Sequence, residues 1–277
     1  MASVVNAAQA EVWNGLDGTR YAEEPDRLDM VNGAFNADLF AAAPVAPEYN
    51  VLDIGCGTGQ TTRIAAKRTR GDVVGIDLSA AMLETAREKA RGEGLSNIEF
   101  VQGDAQVHEF PEGKFDVVLS RFGLMYFADP VQAMSHIARA MRPGARLAAV
   151  CVGDHGKGDW GQVFAAMAAN LPMPEVPAGD MADGFPTPDN IARVLNDAGF
   201  TEVSNEEVVR TNVWGRDAED AADFLFSFEE GRQVFEALDP EVRDRARRGV
   251  IEALRPFERP DGVHMSTPAW LTTAVRP

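Results

Sequence analysis

Apolar residues are set out along this chain in two alternating rhythms. Short apolar runs recur at 50–54, 72–77, 97–101, 115–119 and 145–152. Runs of that length predict buried β-strands. Between them the apolar positions fall three and four apart, which predicts helices. In Ser79–Arg91, Met82, Leu83, Ala86 and Ala90 share one face, and Ser79 stands where an N-cap belongs. In 130–141, Asp129 takes the capping position and Pro130 the first helical one, ahead of the stripe Ala133, Met134, Ile137 and Met141. Arg142-Pro143-Gly144 ends that helix and turns the chain into the next strand. Short apolar strands alternating with helices predict an α/β fold, a doubly wound and mostly parallel sheet covered on both faces.

The pattern changes at both ends. Residues 1–47 read as mainly helical and finish in the Ala/Pro stretch AAAPVAP. Residues 153–186 read as loops around one short helix at 160–170. Thr187-Pro188 opens a helix that Gly199 closes, and a strand follows at 202–210. Two helical stretches, 217–238 and 240–256, precede a β-prone tail, Thr267–Val275. Residues 217–258 therefore read as a helical insertion between the last two strands. No internal repeat is present.

Composition narrows the function. The chain has 277 residues, 45% of them hydrophobic, enough for a substantial core. A net charge of −17 argues against nucleic acid as a partner, since that calls for a basic patch. The opening MASVVNAAQAEVWNG lacks the basic and apolar regions of a secretory signal, and no apolar stretch approaches membrane-spanning length. A protein without a membrane partner is expected. Cys56 and Cys151 are the only cysteines, which points to a reducing, cytoplasmic setting without structural disulfides. No Cys/His cluster has the spacing of a zinc site, so no metal is expected.

Candidate chemistry gathers at the strand ends. VLDIGCGTGQTT spans 51–62 and ends its apolar run in Asp53. Gly55, Gly57 and Gly59 follow at every second position, and a helix begins near Thr61. Glycines there let a ligand approach the backbone without a Cβ in the way, and the helix start offers free N–H groups. Asp77 ends the second strand 18 positions after Gly59, where a carboxylate can accept from two ribose hydroxyls. It can equally cap the next helix. Gly103-Asp104-Ala105-Gln106 follows the third strand. The Asp104 carboxylate can accept from an adenine amino group, although aspartate-containing turns are common anywhere. Leu119 to Phe127, LSRFGLMYF, follows the fourth strand at the switch in strand order. A dinucleotide fingerprint would need G-x-G-x-x-G, and Gln60 stands at its last glycine.

In this order, VLDIGCGTG, VVGIDLS, GDAQ, FDVVLSRFGLMYF and RPGARLA resemble the class I S-adenosylmethionine-dependent methyltransferases, of the small-molecule type related to the ubiquinone and menaquinone C-methylases. The likeness covers about 50–152. The resemblance implies a seven-stranded sheet whose last strand runs antiparallel. It implies S-adenosylmethionine as cofactor, with its methionine end on the Asp53–Gly59 loop, its ribose on Asp77 and its adenine near Leu78, Asp104 and Ala105. The cofactor set expected on this basis adds Cys56, Thr61, Met82, Gln106, Ser120 and Arg121 to those residues and the three glycines. A weaker likeness at VWNGLDGTRY, about 12–21, implies a lid. Residues 1–48 are then an N-terminal helical lid, and 49–277 the methyltransferase domain carrying the insertion.

The implied reaction is in-line displacement at a sulfonium methyl group, for which the protein positions the acceptor and excludes water. An oxygen acceptor profits from a general base. His155, just past the fifth strand, is the first candidate and His108 the second. Trp13, Tyr21, Tyr126 and Trp160, with Phe122 and Met125, are candidates for an acceptor pocket. The expectation is a small-molecule methyltransferase of specialised metabolism acting on an aromatic acceptor, an indole or phenol. A quinone C-methylase and a non-methylating adenosylmethionine-binding protein are the alternatives.

Overall fold

The computed structural model describes residues 4–154, 156, 158–170, 187–228, 232 and 235–277. Four short helices open the chain: α1 (Ala7–Asn14), α2 (Leu16–Glu23), α3 (Pro25–Gly33) and α4 (Asn36–Ala42). Gly15 and Pro25 fall at breaks between helices in this mainly helical stretch. The alternating part then follows as β1 (Val51–Ile54), α5 (Gln60–Ala66), β2 (Val73–Asp77), α6 (Ala80–Gly92), β3 (Ile98–Gln102), β4 (Phe115–Arg121), α7 (Pro130–Ala140) and β5 (Met141–Val152). Both predicted caps are made. Ser79 Oγ accepts from the Met82 amide at 3.3 Å, and Asp129 Oδ1 from the Gln132 amide at 2.9 Å.

The strands lie in the order β3-β2-β1-β4-β5-β8-β6. β1 to β5 run parallel, and β8 (Gly262–Val275) runs antiparallel between β5 and β6 (Thr201–Val213). This is the expected seven-stranded doubly wound sheet. Its tail strand starts five residues earlier than the sequence predicts. A two-residue strand, β7 (Glu258–Arg259), folds back on it, with Arg259 opposite Gly262 across the turn Pro260-Asp261. β5 also starts early, because Met141 already pairs with Phe115 before the register shifts.

Alternation along the strands sends side chains into two cores. Val51, Val73, Val117 and Leu119 meet Leu39 and Phe40 of α4 and Ala65 of α5 on one face. Leu52, Ile54, Val74 and Val118 meet Met134 and Ile137 of α7, and Ile191 and Leu195 of α9 (Pro188–Asp197), on the other. A third cluster joins α8 (Asp159–Asn170), α10 (Ala218–Leu225) and α11 (Pro240–Leu254) to Val263 and Met265. Among described residues the stretch predicted as helix over 217–238 is helical at Ala218–Leu225 and again at Arg232, Phe235 and Glu236. Residues 171–186, expected from the sequence to be loop, and 229–231 and 233–234 lie outside the described residues. No helix among the described residues is long and apolar enough to cross a membrane.

β1 is the switch point. The chain passes from it to β2 and β3 on one side, then returns to β4 and β5 on the other. The crevice therefore opens at the carboxyl ends of β1 and β4, and α1 to α3 lie across it.

Candidate active site

One cavity of about 300 Å³ runs along these strand ends. Its first wall is the loop after β1. Gly55 has φ 65° and sits so close to the loop after β4 that a Cβ on it would lie 2.7 Å from Gly123 Cα. A side chain there would part β1 from β4. Gly57, at φ 54°, differs: a Cβ on it would meet only Met82 Sδ within 4 Å, at 3.7 Å. Its backbone is left bare toward the cavity, which Cys56, Thr58 and Met82 also line.

Beneath this loop lies Asp53, fully buried. Its Oδ2 accepts from the Thr61 and Thr62 hydroxyls at 2.6 and 2.7 Å. Its Oδ1 has no hydrogen-bond partner among the described residues. Burial pushes this carboxyl up to about 6, against the pull of the two threonines and the Arg121 charge. Ser120 Oγ donates to the Ile54 carbonyl at 2.8 Å and so braces the same loop. Asp53, Thr61, Ser120 and Gly59 shape the wall from behind and do not line it.

Asp77 does line the cavity, beside Leu78. Its two oxygens accept from the Gly57 and Ser79 amides, both at 2.8 Å. Burial raises its pKa in spite of those bonds. Asp104 and Ala105 line the cavity after β3. Asp104 is more heavily engaged than its sequence position implies. Oδ2 accepts from the Val5 and Asn6 amides, both at 2.9 Å, while Oδ1 accepts from Asn6 Nδ2 at 2.6 Å and from the Gln106 amide at 3.0 Å. All four acceptor positions of the carboxylate are taken. Gln106 itself turns to Gln132 and Asp129 on the α7 side, away from the cavity.

The remaining wall is aromatic. Trp13 meets Tyr21 and Tyr126 edge-on, each at 5.6 Å. Phe122 has φ 62°, rare for a non-glycine residue, and its ring meets Phe35 edge-on at 5.5 Å. Met125 lines the same region, and its sulfur accepts from the Val152 amide at 3.2 Å. Arg121, on β4, donates to Asn36 Oδ1 at 2.8 Å and to Gln60 Oε1. Desolvation lowers its pKa, with Asp29 and Asp53 acting in the opposite direction.

Sequence reasoning misses several wall residues. Asp29, Asn32 and Phe35 arrive from α3 and the turn after it, and Asn212, Trp214 and Thr267 from the β6/β8 side. Asp29 pairs with Arg63 at 3.2 Å, and burial raises its pKa against that charge. Three sequence candidates fall elsewhere. Trp160 is 4% exposed and belongs to the third core, where its ring abuts Trp214 at 4.5 Å and its Nε1 donates to Thr267 Oγ1 at 3.2 Å. It packs behind the wall because the β8 edge draws α8 over it. His108 lies against Phe110 at 4.8 Å, off the cavity. His155 is outside the described residues.

A family model described as a methyltransferase domain matches residues 51–144. The demethylmenaquinone methyltransferase of Thermus thermophilus is 31% identical over 207 residues, spanning 65% of this chain and 91% of that protein. The solved phosphoethanolamine N-methyltransferase 2 of Haemonchus contortus in complex with S-adenosyl-L-methionine superposes with a TM-score of 0.59 at 20% identity, over 99% of this chain and 60% of that one. The cyclase SpnF superposes with a TM-score of 0.57 at 20% identity, over 94% and 95%. The two structural likenesses speak to fold alone.

Proposed function

This chain belongs to the class I S-adenosylmethionine-dependent methyltransferases, and we propose that its acceptor is a small electron-rich aromatic molecule. S-adenosylmethionine, when bound, supplies a methyl group activated by its sulfonium. The cavity fits that cofactor. Gly57 leaves bare backbone, Asp77 puts a carboxylate where a diol can donate, and Asp53 holds negative charge beneath the loop. The reading of the acceptor rests on one observation. The same cavity that passes Gly57, Asp77 and Asp104 continues into a chamber walled by Trp13, Tyr21, Phe35, Phe122, Tyr126 and Trp214.

Such a chamber offers flat apolar faces to a ring and keeps water from the methyl group. Of the segment 1–48 expected to be a lid, we assign α1 to α3 that role over it, since Leu39 and Phe40 of α4 are buried in the core on one face of the sheet. Asp29 is the one carboxylate outside the cofactor cradle that lines the cavity among the described residues. Its raised pKa suits it to take up the proton released by a methylated ring carbon or oxygen. A phenol or indole fits this wall. A second reading, a quinone-ring acceptor, is favoured by the name of the Thermus thermophilus relative. Its ring must then arrive as the nucleophilic hydroquinone.

The test is incubation with deuteromethyl-labelled cofactor and separate pools of phenols, indoles, hydroquinones and aliphatic amines, followed by mass spectrometry. Label in an aromatic product supports the proposal, and the labelled pool separates its two forms. Label only in an aliphatic product overturns it.

A further inference from the structure

The far wall of the chamber carries two polar atoms that the fold leaves unanswered. Asn212, near the end of β6, is 2% exposed. Its Nδ2 donates to the Val31 carbonyl, which fixes the amide and leaves Oδ1 as a pure acceptor without a partner among the described residues. Trp214, two residues on and one past the end of β6, has its backbone pinned on both sides. Its amide donates to the Val263 carbonyl at 2.9 Å, and its carbonyl accepts from Arg27 Nη2 at 2.9 Å. Its indole Nε1 is buried and likewise has no partner among the described residues. Both residues line the cavity, and so does Thr267 on β8, whose Oγ accepts from Trp160 and keeps its own proton to donate.

An orphaned buried acceptor two residues from an orphaned buried donor is costly unless something binds there. We propose that Asn212 and Trp214 form the subsite that selects the acceptor, and that it takes an aromatic hydroxyl. A hydroxyl satisfies both atoms together: its proton goes to Asn212 Oδ1 and its lone pair receives Trp214 Nε1–H. A carbonyl or an ether accepts only, so Asn212 stays unanswered. A protonated amine donates only, so Trp214 does. The subsite therefore selects a phenol or hydroquinone over the matching quinone or methyl ether. It rests on the aromatic-acceptor reading above and makes that reading specific.

The experiment measures ligand affinity to the protein saturated with S-adenosylhomocysteine, by calorimetry. The probes are naphthol against methoxynaphthalene, and hydroxyindole against methoxyindole. In the unmodified protein the hydroxyl member of at least one pair binds about 10- to 100-fold more tightly, the range for leaving a buried polar group unpaired. Asn212→Leu and Trp214→Phe each abolish the preference and leave affinity for S-adenosylhomocysteine unchanged. Asn212→Leu also loses the bond to Val31, so Trp214→Phe, which keeps a ring in place, decides the matter if the first variant fails to fold. Equal affinity for hydroxyl and ether overturns the subsite and leaves the aromatic reading standing. So does a preference that survives in Trp214→Phe. No binding of any aromatic probe, together with methyl transfer to an aliphatic acceptor, overturns both.

Discussion

The side-chain amide of Asn6 donates to the Asp104 carboxylate at 2.6 Å, tying the start of the chain to the end of β3. The same asparagine accepts from the Ala128 amide beyond β4. Asn14 adds a bond to the Leu78 carbonyl at 3.0 Å, and Asn36 one to Arg121. α3 and α4 bury Leu28, Val31, Leu39 and Phe40 in apolar clusters, whereas α1 and α2 are fastened to the ends of β2 and β3 and to the segment after β4 by polar clips. Such contacts release and remake readily, as a lid requires.

Asn6→Ala is accordingly expected to loosen α1 and α2 from the strand ends. A hydrogen bond to a charged group contributes roughly 1.5–3 kcal/mol, so hydrogen exchange of amides in 5–22 should speed up about tenfold or more. Deleting residues 1–22 should reduce turnover far more than affinity for S-adenosylhomocysteine. Full turnover by the truncated protein on its acceptor would show that these residues are not a lid.

What the sequence makes legible is local. Ser79, Asp129 and Pro130 announce their helices because capping needs only neighbouring residues. Gly55 and Gly57 announce the loop because their backbone geometry excludes side chains. The acceptor wall depends on contacts between distant segments, and there the reading thins. Asn212 and Trp214 lie past 210, the end that the sequence predicts for a strand that runs to Val213. Trp160 and Trp13 look alike in sequence, since an aromatic side chain carries no mark of whether it faces a cavity or a core. Only the pairing of β6 with β8 and the draping of α8 separate them.

That separation is measurable. Trp160→Ala should lower stability by about 3–5 kcal/mol, the range for truncating a buried aromatic. Trp13→Ala, at the cavity wall, should leave the melting temperature nearly unchanged and raise KM for the acceptor. Differential scanning calorimetry and steady-state kinetics on the two variants check both halves. The reverse pattern would place the wrong tryptophan in the site.

Asp77→Asn probes the cofactor cradle. The amide keeps one acceptor oxygen for the loop amides but loses the charge that a diol would meet. Affinity for S-adenosylhomocysteine should fall by about 10- to 100-fold, in line with a charged hydrogen bond, alongside a moderate drop in melting temperature, because one of the Gly57 and Ser79 amides then faces an NH2 group. Unchanged affinity with a large drop in melting temperature would make Asp77 a purely structural cap.

Asp53 should leave its signature in the dependence of stability on pH. Its folded carboxyl sits at about 6, above its ordinary value of 3.8, with burial as the main cause. Between those two values the native state binds more of this proton than the unfolded chain does. Stability contributed by this group is therefore present below about pH 4 and is lost as pH rises through 6. The full loss is roughly 3 kcal/mol, at about 1.4 kcal/mol per pKa unit. Other carboxylates titrate in the same window, so the informative quantity is the difference between the native protein and Asp53→Asn. Asparagine can keep a bond from Thr61 or Thr62 but cannot ionise. Chemical denaturation at intervals from pH 4 to 7.5 should show the unmodified protein losing stability relative to the variant as pH rises. The absolute offset between the two also contains the unpartnered amide of the asparagine, and the slope does not. Parallel curves across that window would mean that Asp53 titrates normally and that its burial carries no electrostatic cost.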